Sequence, residues 1–188
     1  ITKTLNGNRG ITIGDVQYPQ NIFTLWSAAE KEAIGIYEVV WDNTNKKDEA
    51  YYTNTNQSFA FAGGVVTASY GSATAKALAD ANATDEDGVE LDPVVVIPGL
   101  KTKHKEIIKQ QASGLLTNYD WYVIRKADAG TAVPSAVTTY RAAVRTKSNE
   151  MEVLIDACST VDELAALYAY NDDNPPTRPL GEFPTLEI

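Results

Sequence analysis

The chain has 188 residues, 44% of them hydrophobic and 22% charged, a composition typical of globular domains. Its 16 Lys and Arg against 25 Asp and Glu leave a net charge of -9, which argues against a protein that coats DNA or RNA, because phosphate binding needs a clustered positive field. One cysteine excludes an intramolecular disulfide, one histidine argues against a zinc site of His and Cys ligands, and no apolar run approaches the ~20 residues of a membrane helix.

The N-terminal part begins with signals for a hairpin and a short helix. Asn6–Gly7 lies among short β-prone runs, a pattern that favours a hairpin turn. Ser27 is followed three residues later by Glu30, which predicts a capping box. The helix that starts there should end at Ile34, before a glycine.

A strand-rich stretch follows this helix. Residues 36–41 predict one strand, and the Tyr-, Phe- and Thr-rich run after residue 50 predicts others. Gly63–Gly64 marks a second hairpin turn. Residues 1–75 are therefore expected to form an α/β domain with a small antiparallel sheet.

Residues 76–98 are expected to form an acidic connector. The alanine-rich run over 72–83 favours a short helix, and an acidic loop follows it. When Gly88 is aligned with the glycine of a calcium-binding EF-hand loop, Ala83 and Val94 occupy positions that need oxygen ligands. A solvated loop is therefore favoured, and a weak cation site over residues 85–92 stays open.

Helical periodicity predicts a helical hairpin or bundle over residues 99–170. Thr117 and Asp120 have the spacing of a second capping box, and Gly130 should end the helix that it starts. The helix before it places on one face Leu100, His104, Ile107, Ile108, Gln111 and Leu115.

Two more helices complete this domain. Pro134 opens the first of them, and Ser159 should cap the second, over residues 160–169. The predicted buried stripe of the first comprises Val137, Tyr140, Val144 and Met151. The whole chain is thus predicted to be α+β: a small antiparallel-sheet part, a helical domain and an extended C-terminal arm.

The arm, residues 171–188, carries four prolines and no helical period. Its apolar side chains lie along an extended chain, and exposing them to water would be costly. We expect these side chains to dock on a partner chain rather than on the arm's own domain: Leu180, Phe183, Leu186 and Ile188.

No pattern in the sequence predicts an enzyme. There is no phosphate-binding loop and no nucleophile elbow. His104 has no partner that the sequence nominates, and Cys158 lies among apolar positions, so both are expected to be structural. We therefore expect no catalytic residues, no cofactor and no metal.

The basic, aromatic stretch over residues 120–146 allows two interpretations. On helices, Trp121 could pack against Tyr140 and Val144, with long arginine stems covering the rim of this contact and pairing with nearby carboxylates. The arginines concerned are Arg125, Arg141 and Arg145. The alternative, a nucleic-acid surface, fits the acidic net charge less well.

This same stretch resembles the helical module of tail assembly chaperone-like and tail fibre assembly-like proteins of bacteriophages, of the marine or cyanobacterial phage type. The resemblance spans residues 105–168 approximately and includes the turn from Arg125 to Gly130. It rests on Leu115, Leu116, Thr117, Asp120, Trp121, Pro134, Tyr140, Arg141 and Arg145. The segment "VQYPQNIFTLWSAAEKEAIGIYEV" is similar to the entry region of the same proteins.

The resemblance implies a non-enzymatic function in a phage tail. The β-rich first half and the long C-terminal arm differ from a plain chaperone and suit a baseplate, adaptor or fibre-attachment protein that stays in the virion tail. Such a protein would be made in the bacterial host cytoplasm, contact other tail proteins as part of an oligomer, and bind neither nucleic acid nor membrane. The alternative is a tail assembly chaperone that binds its partner transiently.

Overall fold

The computed structural model describes residues 4–55 and 57–186 and has two compact units, Ile1–Thr74 and Ala75–Ile188. Strands dominate the first unit and helices the second. The predicted α+β fold is therefore confirmed. None of the helices in the described ranges has the length and apolar composition of a membrane span.

The first unit contains short strands and two short helices. In chain order the elements that begin in it are β1 (Ile11–Ile13), β2 (Val16–Tyr18), α1 (Ile22–Leu25), α2 (Ala28–Glu32), β3 (Val39–Asp42), β4 (Tyr52–Thr53), β5 (Ser58–Ala62), β6 (Val65–Ser69) and β7 (Thr74–Ala75). β1 and β2 form an antiparallel hairpin, and β3, β6 and β5 form a three-stranded sheet in that order.

Two turn predictions for this unit have different outcomes. Gly63 and Gly64 connect β5 to β6 with φ angles of 59° and 82°, as predicted, because a tight hairpin turn favours residues with positive φ. The first hairpin, in contrast, turns at Gly14 and not at Asn6–Gly7. β3 also departs from the predicted antiparallel sheet, because it pairs parallel to β6.

The capping box that the sequence predicts at α2 is present. Ser27 accepts from the Glu30 amide at 3.3 Å, and the Glu30 carboxylate accepts from the Ser27 amide at 2.8 Å. The Ser27 amide and the Ser27 hydroxyl both donate to the Glu30 carboxylate and thereby lower the pKa of Glu30. Few side chains around this helix are deeply buried, and the described core of the unit consists of Ile22, Tyr51, Val66 and Ala68.

The second unit is built on two long helices. Its elements are β8 (Ala81–Asn82), β9 (Val96–Ile97), α3 (Leu100–Thr117), α4 (Asp120–Ala129), α5 (Ser135–Ala157) and α6 (Val161–Ala166). Contacts between α3 and α5 join residue 105 to 156, 109 to 152 and 116 to 141. The residue numbers fall on one helix as they rise on the other, so the two helices are antiparallel.

The predicted helix over residues 72–83 is absent, and β7 and β8 lie there instead. The carbonyls of Ala77 and Leu78 accept from the first amides of α3, at 2.9 and 3.1 Å. The Asp80 carboxylate accepts from the Gly99 amide at 2.8 Å. This segment therefore satisfies the free amides at the start of α3, and a helical segment would use the same carbonyls internally.

Gly99 is required by this close packing. A β-carbon at Gly99 would clash with the main chain of Ala79 and Leu78. Glycine lets the two segments approach to hydrogen-bond distance, and a side chain here would separate them.

The core of the second unit lies between α3, α5 and α6. The stripe predicted for α5 is confirmed and extended by Ser148 and Ile155: the buried residues are Val137, Tyr140, Val144, Ser148, Met151 and Ile155. On α3 the buried residues are Leu100, Ile108 and Ala112, whereas the predicted Ile107 is exposed.

The helix ends differ from the prediction at two places. Thr117 is the last residue of α3 and donates to the Ser113 carbonyl at 2.8 Å, so it cannot cap α4. α6 is capped by Thr160 rather than Ser159, through a capping box with Glu163. Gly130 ends α4 as predicted, with a φ of 70°.

Candidate functional site

The surface of α4 is the first candidate, because this helix has no buried residue. It exposes 48% of Trp121 and 67% of Ile124, and Val123 is also exposed. We call these three residues the α4 face. The prediction that Trp121 packs against Tyr140 and Val144 is therefore wrong.

Tyr119 explains this difference. It lies directly before α4 and makes an edge-to-face contact with Tyr140, with ring centroids 5.3 Å apart. Tyr119 thus occupies the position expected for Trp121. Because a neighbouring aromatic fills this place in the core, α4 begins outside it.

Trp121 instead packs within its own helix. Its ring centroid is 3.7 Å from that of Tyr122, and the Arg125 guanidinium lies 4.8 Å from the Trp121 centroid and 5.3 Å from that of Tyr122. The Arg125 Nε atom is buried and has no hydrogen-bond partner among the described residues. The three side chains therefore form an aromatic–cation cluster that includes Trp121 of the α4 face.

The predicted arginine pairing is present at Arg141. Its side chain is 11% exposed, with Nη2 2.8 Å from the Asp120 carboxylate. Nη1 donates to the Leu116 carbonyl at 2.7 Å, near the end of α3. Arg141 thus fastens the start of α4 to both long helices. Arg145 is exposed and donates to the Arg141 carbonyl at 3.3 Å.

A groove of about 540 Å³ runs beside this arginine, between α3 and α5. Lys109 and Glu152 face each other across it at 3.2 Å. Asp120 and Glu152 balance the charges of Arg141 and Lys109, so Arg145 is the one cation of the described lining in excess, and a single cation is not the clustered positive field that phosphate binding needs.

The arm packs on its own unit, contrary to the prediction that it docks on a partner. Leu180 is fully buried, and its amide donates to the Leu167 carbonyl at 3.0 Å. Phe183 and Leu186 pack against the core cluster of Ala112, Tyr140 and Val144. The α3–α5 pair leaves an apolar cleft that these side chains fill. Ile188 lies outside the described residues.

Polar contacts hold the arm in this position. Arg178 lies 2.7 Å from the Glu182 carboxylate, which also accepts from the Tyr170 hydroxyl at 2.7 Å. The Arg178 guanidinium lies over the rings of Tyr168 and Tyr170. The arm is thus an intramolecular brace over the described range.

A cavity of about 750 Å³ in the first unit is the second candidate. Its aromatic lining comprises Phe23, Tyr37, Trp41, Phe59 and Phe61. Lys31, Glu32 and Glu38 add charge. Such a cavity can accept an apolar group, and its only signal in the sequence is the Tyr- and Phe-rich run after residue 50.

The side chains of His104 and Cys158 both make contacts within the fold. His104 Nδ1 lies 2.8 Å from the Tyr168 hydroxyl, and partial burial lowers the pKa of the imidazole. Burial raises the pKa of the Cys158 thiol, which donates to the Leu154 carbonyl at 3.4 Å. A thiol in this state is a poor nucleophile.

In the acidic loop, Asp85 accepts from the amides of Asp87 and Val89 at 3.0 and 2.9 Å. This carboxylate therefore supports a turn of its own loop. Within the described ranges, no three His, Cys, Asp or Glu side chains are grouped as metal ligands would be.

In comparisons with known proteins, no family model, no curated protein and no solved structure matches the chain.

Proposed function

We propose that the chain is a non-enzymatic structural or adaptor component of a bacteriophage tail, at the baseplate, the adaptor or the fibre attachment. It works through protein–protein contacts with other tail proteins, as part of the oligomeric tail. Its place is the virion tail, after synthesis in the bacterial host cytoplasm. The observation that carries the proposal is the α4 face, which lies in the segment that resembles phage tail proteins.

The α4 face has the properties of a contact surface. Trp121 and Ile124 are large apolar side chains on a helix without buried residues, and contiguous exposed apolar groups mark interaction sites. Tryptophan and arginine are also the residues most enriched at the energetic centres of interfaces. The Arg125 guanidinium lies over the Trp121 and Tyr122 rings, next to this apolar surface.

The helix is also held firmly, so binding requires little ordering. Arg141 fixes its start through Asp120 and the Leu116 carbonyl, and Gly130 ends it with a left-handed residue. A preorganised surface loses less conformational entropy when it binds.

The arginines support protein rather than nucleic-acid binding. Arg141 is engaged with Asp120, and Arg125 stacks on two rings of its own helix. We expect that protein concentrations below about 1 μM do not shift DNA or RNA in a gel. Binding in that range would be tighter than ordinary non-specific binding. A shift in that range would overturn the assignment of these arginines.

The alternative is a tail assembly chaperone that binds its partner transiently. An exposed apolar helix also suits such a protein. The arm packs on its own unit, so it no longer favours a permanent component of the tail. Mass spectrometry of purified phage particles separates the two. Stoichiometric amounts in the particle support the structural role, and presence in infected cells but not in particles supports the chaperone.

The α4 face can be tested in the same experiment. We expect Ile124→Asp to abolish incorporation into particles, because it places a charge in an apolar contact while the exposed site tolerates it in the fold. Thr146→Asp, at an exposed position of α5, is the matched control and should be incorporated normally. Equal incorporation of both variants would show that α4 is not the contact.

A further inference from the structure

The apolar residues before α3 form a second unpartnered surface, separate from α4. Residues 94–97 are exposed by 49–58% of their area, although all are valine or isoleucine. β9 pairs with the two-residue strand β8 and with no other named strand in the described ranges. A ribbon of two strands is marginally stable alone, and additional strands stabilise it.

The free edge of this ribbon can be assigned from one hydrogen bond. Ala83 donates its amide to the Val95 carbonyl at 2.7 Å, so the main chain of Val95 faces the β8 side. Successive residues of an antiparallel strand direct their main-chain groups to alternate edges. The amides and carbonyls of Val94 and Val96 therefore point to the outer edge.

The charges around this segment are arranged with opposite signs at its two ends. The residues before it include Asp85, Glu86, Asp87, Glu90 and Asp92, and the residues after it include Lys101, Lys103 and Lys105. Lys101 and Lys105 bond to Asp156 within the same chain. Lys103 is exposed and takes no part in those bonds.

We propose that residues 94–97 pair antiparallel with the same residues of a second copy, so that the chain forms a symmetric dimer. The two-fold axis passes between the two Val95 residues, and Val94 of each copy exchanges main-chain hydrogen bonds with Val96 of the other. The two ribbons then join into one sheet, and the apolar side chains of each strand lie beside those of the other, which removes part of their surface from water.

Charge selects this antiparallel self-pairing. It places Asp92 of one copy opposite Pro98 of the other, and Lys103 lies in the first turn of the α3 helix that follows Pro98. Each acidic end therefore meets a lysine-bearing end. Parallel pairing would place acidic loop against acidic loop, which an already acidic chain disfavours.

Site-specific cross-linking of the full chain tests the register. Val95→Cys places two thiols on the two-fold axis, at a separation that a disulfide can span. Val89→Cys is the matched control, because Val89 is even more exposed than Val95 but lies away from the axis. We expect Val95→Cys to cross-link at least ten times faster than the control under mild oxidation; equal rates would overturn the proposal.

Sedimentation of the unmodified chain tests the dimer directly. We expect about 41 kDa, twice the 20.4 kDa of one chain, at concentrations of about 100 μM. Asp92→Lys and Lys103→Asp should each shift the protein toward monomer, and the double variant should restore the dimer. A monomer in the unmodified protein, or a double variant no better than the single ones, would show that a different partner covers this edge.

The dimer is independent of the α4 proposal. Ile124 lies on α4, so the Ile124→Asp variant should sediment like the unmodified chain, in contrast to Asp92→Lys and Lys103→Asp. Loss of the dimer in Ile124→Asp would show that α4, and not β9, is the self-association surface.

Discussion

Helices α4 and α5 follow each other in the chain and are both rich in apolar residues, yet one buries none of its residues and the other buries six. The apolar residues of α4 are consecutive, from Trp121 to Ile124, so they surround the helix. Those of α5 recur every three or four residues and form one stripe. Spacing, rather than apolar content, decides which helix enters the core.

The comparison is tested most strongly by the same substitution on both helices. We expect Ile155→Ala to destabilise the second unit by about 2–5 kcal/mol, because the side chain is fully buried and its removal leaves a cavity. Chemical denaturation, followed by far-UV circular dichroism, measures the change. Ile124→Ala is the matched control and should stay within about 0.5 kcal/mol. Similar losses in both variants would contradict the difference between the helices.

The arm offers a second test of what is buried. Leu180→Ala should destabilise the second unit by about 2–3 kcal/mol, in the lower part of the range for a buried leucine, because an arm can relax more than a helix. Thermal unfolding measures it. A variant as stable as the parent would restore the original prediction that the arm is free to bind a partner.

The anchor between the two helices is tested by a pair of arginine substitutions. Arg141→Met keeps the length of the side chain but removes its bonds to Asp120 and to the Leu116 carbonyl, and we expect a loss of about 1–3 kcal/mol. Arg145→Met, at an exposed site with one long bond, should change stability by less than about 0.5 kcal/mol. Equal effects would mean that α4 is not fastened through Arg141.

A small effect is expected at Trp121, the residue that the sequence placed against Tyr140 and Val144. Trp121→Ala should cost less than about 1 kcal/mol, since half of the side chain is already in water and its contacts lie within α4. Urea denaturation is the measurement. A loss of several kcal/mol would place Trp121 in the core after all.

Regular periodicity was the part of the fold that could be predicted from the sequence. The stripe on α5 and the glycine at the end of α4 depend on local spacing and backbone preference, and both are confirmed. The capping box at Ser27 is local in the same sense. Such features need no knowledge of distant residues.

Two of the larger errors involve contacts with other parts of the chain. Whether Trp121 or Tyr119 meets Tyr140 depends on where α3 ends, and Thr117 extends α3 instead of capping α4. The alanine-rich run before residue 83 is not helical because its carbonyls bond to the start of α3. Local propensity is a weak predictor against such tertiary contacts.

The candidate surfaces were only partly predictable for the same reason. The sequence selected Asp120, Arg141 and Trp121, and the structure pairs the first two while it exposes the third. The apolar residues of the arm were assigned to a partner because its prolines bar a helix and its apolar side chains would be costly to expose. The cleft between α3 and α5 that receives Phe183 and Leu186 is a property of the assembled helices.

The position of the arm also sets the order of folding. Phe183 packs against a cluster whose members come from both long helices, Ala112 from α3 and Tyr140 and Val144 from α5. The docking site of the arm therefore exists only after these two helices have paired, so the arm should dock after the rate-limiting step. A defect in the arm would then leave the refolding rate nearly unchanged and accelerate unfolding. Leu180 thus determines how long the folded helical unit persists more than how quickly it forms.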